Sequence, residues 1–428
     1  MSSKKFETSL KIRESARRAE PFKPRRSLCS TLFSSTLAAL LAVAMVAGYE
    51  TGSAQPASAA QTKVVKIGAV LPLSGPFADS AKDMKHVYDL YQQQINANGG
   101  FKSLGGAKVQ FVYVDAQSKP EVARGAALRL ALENDISALI GPVYSPLAIP
   151  MAEVAEKHKV PFVIDAAIED SLTEKGYKYV FRGNPRSKDF ANAVSGFVIG
   201  KLKPKNVALV YADSISYGSV MSTIKKNLKA ANIPVLLEEP YAVTTTNFGP
   251  IVEKLANSKP DVVLAGSYDA DAILIARTIA EQGIKLKGFV GAGGGYSTLT
   301  FLSGAGKAAE GIASAASWGS DDKSSPDSPK FIAAFKHKYS EVPNQMNASA
   351  ATAAQILLDA IERAGSSDRE KIREALTKTN LWTVEGKIQF DNKGQGLKSA
   401  RIIQVQKGHF VTIWPAALAA KTSVPFHG

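Results

Sequence analysis

Beyond Val64 the chain alternates short apolar runs with stretches of helical period. Val64-Val-Lys-Ile-Gly-Ala-Val-Leu-Pro72 reads as a buried strand entering the turn Leu73-Ser74-Gly75-Pro76. Met84, Val87, Tyr88, Tyr91 and Ile95 then recur at i, i+3, i+4, i+7 and i+11, one helical stripe that Asn98-Gly99-Gly100 stops. The same reading predicts strands over 108–114, 138–140 and 160–164 and a helix from 120 to about 134. The pattern restarts with strands at 206–211, 234–238, 261–266 and 288–291, separated by helices at 217–231, 248–257 and 269–282. Regular alternation predicts an α/β fold of parallel sheets with helices on both faces, in two doubly wound, Rossmann-like lobes.

The polar stretch 317–329 is suited to a crossover between lobes. Helices follow at 329–339, 347–364 and 368–377, then strands at 386–390 and 400–406. Strands after helices imply that the chain returns to both lobes, so neither is contiguous in sequence.

The first 59 residues do not fit this pattern. A basic segment to Arg26, an apolar run of 16 residues from Leu32 to Ala47 and Ala57-Ser58-Ala59 form a cleavable secretory signal. Arg25-Arg26-Ser27-Leu28 also fits a twin-arginine signal, and the long hydrophilic start leaves Met1 as a possible upstream start. Cys29, the single cysteine, lies before the apolar run, so the mature chain carries no thiol chemistry or disulfide. The full chain has a net charge of +14; removing the nine basic and four acidic residues of the leader leaves about +9. These charges are interspersed, and an exported chain without a basic stripe is not a nucleic-acid binder. The expected location is the periplasm.

Candidate chemistry centres on Gly141-Pro-Val-Tyr-Ser145-Pro146, where a buried strand turns into a helix. Ser followed by Pro is a helix start, with Ser as the cap that accepts free N–H groups. A helix N-terminus at the carboxyl end of a parallel strand favours an anion such as a carboxylate. Every α/β crossover has such a turn, so the position alone does not establish a site. Gly291-Ala-Gly-Gly-Gly-Tyr296 lacks the third glycine of a dinucleotide fingerprint, and no phosphate loop or G-x-S-x-G is present. His86, His158, His337, His409 and His427 form no metal-ligand spacing, and Trp318, Trp382 and Trp414 fit packing as well as ligand platforms. No catalytic residue, cofactor or metal is expected.

An ordered set of motifs adds a family. Lys66-Ile-Gly-Ala-Val-Leu-Pro-Leu-Ser-Gly-Pro76, Ile95-Asn-Ala-Asn-Gly-Gly100, Asp115 with Pro120, and Ala138-Leu-Ile-Gly141 resemble the type I periplasmic solute-binding proteins of branched-chain amino acid ABC transporters, the Leu/Ile/Val-binding group. Ser171-Leu172-Thr173, Tyr179-Val-Phe-Arg182, Tyr217-Gly218, Glu281-Gln-Gly283 and Phe390-Asp-Asn-Lys-Gly394 extend the likeness over about residues 63 to 415. The resemblance implies two lobes joined by three hinge strands, with crossovers near Arg182, Gly311 to Ala315 and Gly394 to Lys398. Lobe 1 would hold 60–182 plus 314–395, and lobe 2 would hold 183–313 plus 396–428. It further implies a non-enzymatic monomer that traps a small molecule and delivers it to a membrane ABC permease. A periplasmic sensor presenting the same ligand to a signalling receptor is the alternative.

By the same likeness Ser145 holds a ligand carboxylate with Tyr144 beside it, and the loop Ala166, Ala167, Ile168 contacts the head group. Ser80 stands where an aromatic often closes the wall, while Tyr217 and Tyr268 cover the ligand from the second lobe. Amino-acid binders of the family carry an acidic residue where this chain has Gly293. That departure points to a carboxylate or amide without an α-ammonium, with room beside the glycines and Tyr296 positioned to stack on a ring. Alternatively Asp165, Glu169 or Asp269 supplies the missing charge.

Overall fold

The computed structural model describes residues 63–426 other than 134, 322 and 324, so the proposed leader lies outside the described residues. Two sheets organise the rest. The first has five parallel strands in the order Lys108–Asp115, Val64–Leu71, Ile136–Ile140, Phe162–Ile164, Val180–Arg182. The second runs His409–Trp414, Arg401–Gln406, Ala313–Ala316, Gly288–Gly291, Val262–Gly266, Val207–Ala212, Val235–Tyr241. Its last five members are parallel, and the first two are added antiparallel.

The central strands read as unbroken apolar runs because helices cover both faces of a parallel sheet. Every residue of Ile136–Ile140, Val207–Ala212 and Val262–Gly266 is buried. Elements the pattern did not reveal are the helices Ser187–Phe197 and Leu299–Ala305 and the strands Asn380–Thr383 and His409–Trp414. The last had a readable cue in Lys407-Gly408, whose φ angles of 55° and 73° suit a tight hairpin.

The chain passes between the sheets three times. After Val180–Arg182, the edge strand of the first sheet, the helix Ser187–Phe197 packs on the second. Ala313–Ala316 lies wholly in the second sheet, paired to Arg401–Gln406, so the second crossover begins after Ala316 rather than at 314. The third passes from Gln395, bridged to Arg182, to Arg401–Gln406.

Arg182 ties the first and third crossovers together and is fully buried. Its Nε donates to Gln395 Oε1 at 2.8 Å, and Nη2 donates to Thr173 Oγ1 at 3.0 Å. Nη1 donates to the carbonyls of Ala167 and Glu169 at 3.2 and 2.7 Å. Gln395 in turn donates to the carbonyls of Asn184 and Gly396, each at 2.9 Å. Burial pushes the guanidinium down to about 10, with Asp170 acting in the opposite sense, so it stays charged at neutral pH. Arg182→Leu strands several buried acceptors at once. It should lower unfolding stability by roughly 3 kcal/mol or more in urea titrations, and a loss below about 1 kcal/mol would show that these bonds do not hold the hinge.

Candidate functional site

Between the sheets lies a small cleft, about 490 Å³ of empty space counted with the solvent at its mouth. Its walls come from the carboxyl ends of parallel strands, where open α/β sheets bind ligands. Val143, Tyr144 and Ser145 follow Ile136–Ile140, and Ala166 and Ile168 follow Phe162–Ile164. From the second sheet Ser216 and Tyr217 follow Val207–Ala212, Tyr268 follows Val262–Gly266, and Gly294 follows Gly288–Gly291. Asn184, Phe190 and Ser317 enter near the crossovers, while Gln345, Met346 and Ser349 come from the first turns of the helix Gln345–Ala364.

Gly141 makes the first of these turns possible. Its φ is +108°, and a Cβ there would meet the Val70 carbonyl at 2.6 Å. The chain then enters the helix Ser145–Lys157 with Pro146 in its first turn. Ser145 does not cap its own helix, as the Ser-Pro pair suggested. Its Oγ instead accepts the N–H groups of Ile168 and Glu169, both at 3.1 Å. The hydroxyl proton is left to donate elsewhere.

Among the described residues no side chain lining this cavity is charged. The full charges stand behind the wall: Arg182, bonded to the loop 166–169, Asp165 and Glu169 at the ends of that loop, Asp269 behind Tyr144, and Glu385 paired with Lys398. Residues at the N-termini of four helices, Ser145–Lys157, Ile215–Ala230, Asp269–Glu281 and Gln345–Ala364, line the wall or adjoin it. Arg182 stands behind the loop 166–169, bonded to its carbonyls.

The acids near the cleft are committed to protein partners. Asp269 accepts from Thr298 Oγ1 at 2.6 Å and from Ser80 Oγ and Tyr144 OH, both at 3.1 Å. Burial raises its pKa against these bonds. Asp165 accepts from the Ala166 amide at 2.6 Å and from Tyr88 OH at 2.8 Å, and burial raises it to about 6. Glu169 accepts from Ser219 Oγ at 3.0 Å and is raised by burial. Glu385, in the turn between Asn380–Thr383 and Gly386–Gln389, sits behind the wall 3.0 Å from Lys398, which burial lowers.

Of the residues expected to bind ligand, Tyr144, Ser145, Ala166, Ile168, Tyr217 and Tyr268 line the cavity. Ser80, Ala167, Gly293 and Tyr296 do not. Ser80 is spent on Asp269, and the Ala167 carbonyl faces Arg182. Gly293 yields its place to Gly294, because its own φ of +90° turns the chain against Phe190. Tyr296 is fully buried against Phe289 and Phe301 with its hydroxyl 3.0 Å from Ser267 Oγ, so it packs the core rather than facing a ring. Trp318 is likewise core, its Nε1 donating to Ser328 at 3.0 Å. The reading missed Val143, Gly294, Asn184, Phe190, Ser216, Ser317, Gln345, Met346 and Ser349. One cue existed for the last three: the helix Gln345–Ala364 buries Gln345, Asn347 and Ser349, an unusual polar start for a core helix.

The periplasmic binding protein family model matches residues 64–409. The chain belongs to that family. The periplasmic binding protein is 29% identical over 402 residues to a Leu/Ile/Val-binding protein homolog 7 of Brucella suis, covering 90% of this chain and 97% of the relative. A leucine-binding protein LivK from Thermotoga maritima shares its fold with a TM-score of 0.75 and 26% identity, over 82% of this chain and 98% of that one. A solute-binding protein of an ABC transporter from R. palustris, solved in complex with benzoate, superposes with a TM-score of 0.76 at 23% identity, over 85% and 99%. Members of the family are substrate-binding proteins of transporters, not enzymes, and the family is extracytoplasmic. Among the described residues no helix is long and apolar enough to cross a membrane.

The raised pKa of Asp165 has a sign that experiment can read. With a folded value of about 6 against about 4 unfolded, the native state binds more protons between those limits, so this group's contribution to stability falls as pH rises from 4 to 6. Asp165→Asn keeps the Ala166 contact on its oxygen and meets Tyr88 with its amide donating to the phenol oxygen, without the charge. Its stability relative to the parent should rise between pH 4.5 and 7.5 by on the order of 2 kcal/mol in urea titrations. A pH-independent difference would contradict the burial of an ionising carboxyl there.

Proposed function

We propose that this protein captures a small organic acid lacking an α-ammonium group, preferably one with an aromatic or bulky apolar body, and presents it as a monomer to a membrane ABC permease from the periplasm. One observation carries this reading: among the described residues the cavity wall has no charged side chain, while four helix N-termini around it and the buried Arg182 guanidinium behind the loop 166–169 support an anion. A carboxylate there would receive the free proton of Ser145. The body of the ligand would lie against Val143, Ile168, Phe190, Met346 and the tyrosines. Tyr268 stands edge-on to Tyr144, centroids 5.2 Å apart, and packs against Tyr217 at 5.4 Å, giving an aromatic wall.

An ammonium would find no free counter-charge on that wall. Asp165, Glu169 and Asp269, the acids able to replace the family's missing one, each answer a hydroxyl or amide of the protein. A buried unpaired cation costs several kcal/mol, which is enough to reject an amino acid that otherwise fits. The shared fold does not choose between these ligands, since one structural relative is named for leucine and another was solved with benzoate. The wall chemistry supports the acid.

A thermal-shift screen of the mature protein tests the reading. Benzoate, phenylacetate or 4-methylpentanoate at 100 times its dissociation constant should stabilise by roughly 2.7 kcal/mol, while leucine and phenylalanine leave the melt unchanged. Stabilisation by leucine alone would overturn it. For a carboxylate that binds, Ser145→Ala should weaken affinity about tenfold or more, the scale of a hydrogen bond to a charged group, as measured by calorimetry.

A further inference from the structure

The end of the cavity opposite in character to Ser145 is built from acceptors. Ser317 Oγ lies 2.6 Å and Ser349 Oγ 3.1 Å from the same oxygen of Glu385, Oε1. Each hydroxyl has one proton, and a carboxylate outcompetes the other available partners, the 3.1 Å contact between the two hydroxyls and the 3.4 Å approach of Ser349 to Asn184 Oδ1. Both protons therefore point at Glu385, and the lone pairs of the two serines are what remain. Asn184 has its amide nitrogen fixed by donation to the Ala166 carbonyl at 3.1 Å, which leaves its oxygen beside Ser349. Gln345 accepts the Ser317 N–H at 2.9 Å and donates to Ser297, so a single amide hydrogen remains to it.

The charge behind this end is balanced. Glu385 is 2% exposed and is paired at 3.0 Å with Lys398, itself enclosed. With Lys398 in place the cluster offers lone pairs without net negative charge. That suits a neutral group able to give a hydrogen bond and to accept one from the remaining Gln345 amide hydrogen. A hydroxyl does both. An ammonium would need the net charge that Lys398 removes.

Each crossover contributes a residue: Asn184 from the first, Ser317 from the second and Lys398 from the third. The acceptor cluster is therefore part of the hinge itself.

We propose that the hinge end of the cavity is a hydroxyl-recognition subsite, in which Asn184 and Ser349, backed by the Glu385–Lys398 pair, accept the proton of a ligand hydroxyl. The favoured ligand is then a hydroxy-substituted acid, such as a phenolic carboxylate. This rests on the carboxylate reading above, with the carboxylate at Ser145 and the hydroxyl at the far end of the ring. Leaving these acceptors unanswered discriminates against a ligand without the hydroxyl.

Calorimetry of the full mature protein with benzoate, 3-hydroxybenzoate, 4-hydroxybenzoate and 4-methoxybenzoate tests it. At least one hydroxybenzoate should bind about tenfold or more tighter than benzoate, and the methoxy analogue, which cannot donate, should lose that gain. In Ser349→Ala the hydroxy-to-benzoate affinity ratio should fall toward unity. In Glu385→Gln, whose amide can hand a proton back to the serines, the ratio should also fall; Ser349→Ala decides the matter if that variant does not fold. Benzoate binding equal to or tighter than both hydroxybenzoates, or an unchanged ratio in Ser349→Ala, overturns the subsite and leaves the carboxylate reading standing. Failure of every benzoate together with binding of leucine overturns the carboxylate reading and the subsite with it.

Discussion

A carboxylate buried without a partner is among the costliest things a cleft can contain, and four stand in or behind this one. Asp165, Glu169, Asp269 and Glu385 answer that cost in different ways: with backbone and tyrosine donors, with a serine from the facing lobe, with three hydroxyls, and with a lysine. Every feature of the site follows from where those charges are spent. Asp269 carries out a structural task, since its helix belongs to the second sheet while Ser80 and Tyr144 belong to elements around the first. The same bonds that close the lobes remove the acid from the ligand's reach.

The hinge shows the same economy of charge. Arg182 and Lys398 are both buried at crossovers, yet they act differently. Lys398 is neutralised by Glu385, whereas Arg182 is held by carbonyls and neutral oxygens and keeps its positive field. On the proposed reading the cavity takes an anion at Ser145 and offers acceptors beside Ser317 and Ser349, with Asn184 touching both the loop 166–169 and Ser349. A trap of this kind closes because the ligand bridges surfaces that otherwise face water.

Much of the fold was legible in the sequence because a doubly wound sheet writes itself as apolar runs alternating with helical stripes. The strands Ile136–Ile140 and Val262–Gly266 and the helix Asp269–Glu281 stand within a residue or two of the pattern that predicts them. The second crossover was displaced because Ala313–Ala316 is short and all small, so nothing in its composition says which sheet takes it. In the site, Ser145 was legible as a strand-to-helix turn, while Tyr144 and the second-lobe tyrosines came from the family resemblance. Asn184, Ser317 and Ser349 were not: the two serines take their meaning from Glu385, tens of residues away, and Asn184 from the loop at Ala166 and from Ser349. Tyr296 misled for a related reason: its position beside glycines suggests exposure, and only packing against Phe289 and Phe301 reveals it as core.

The central claim is that the wall accepts a carboxylate and rejects an ammonium. The most direct test is calorimetry on a matched pair that differs in that group alone, 3-phenylpropanoate against phenylalanine, at neutral pH. The account predicts that the des-amino acid binds at least about 100-fold tighter, the scale set by burying an unpaired cation. Equal affinities, or tighter binding of phenylalanine, would contradict it and show that one of the cleft acids leaves its protein partner to meet the ligand.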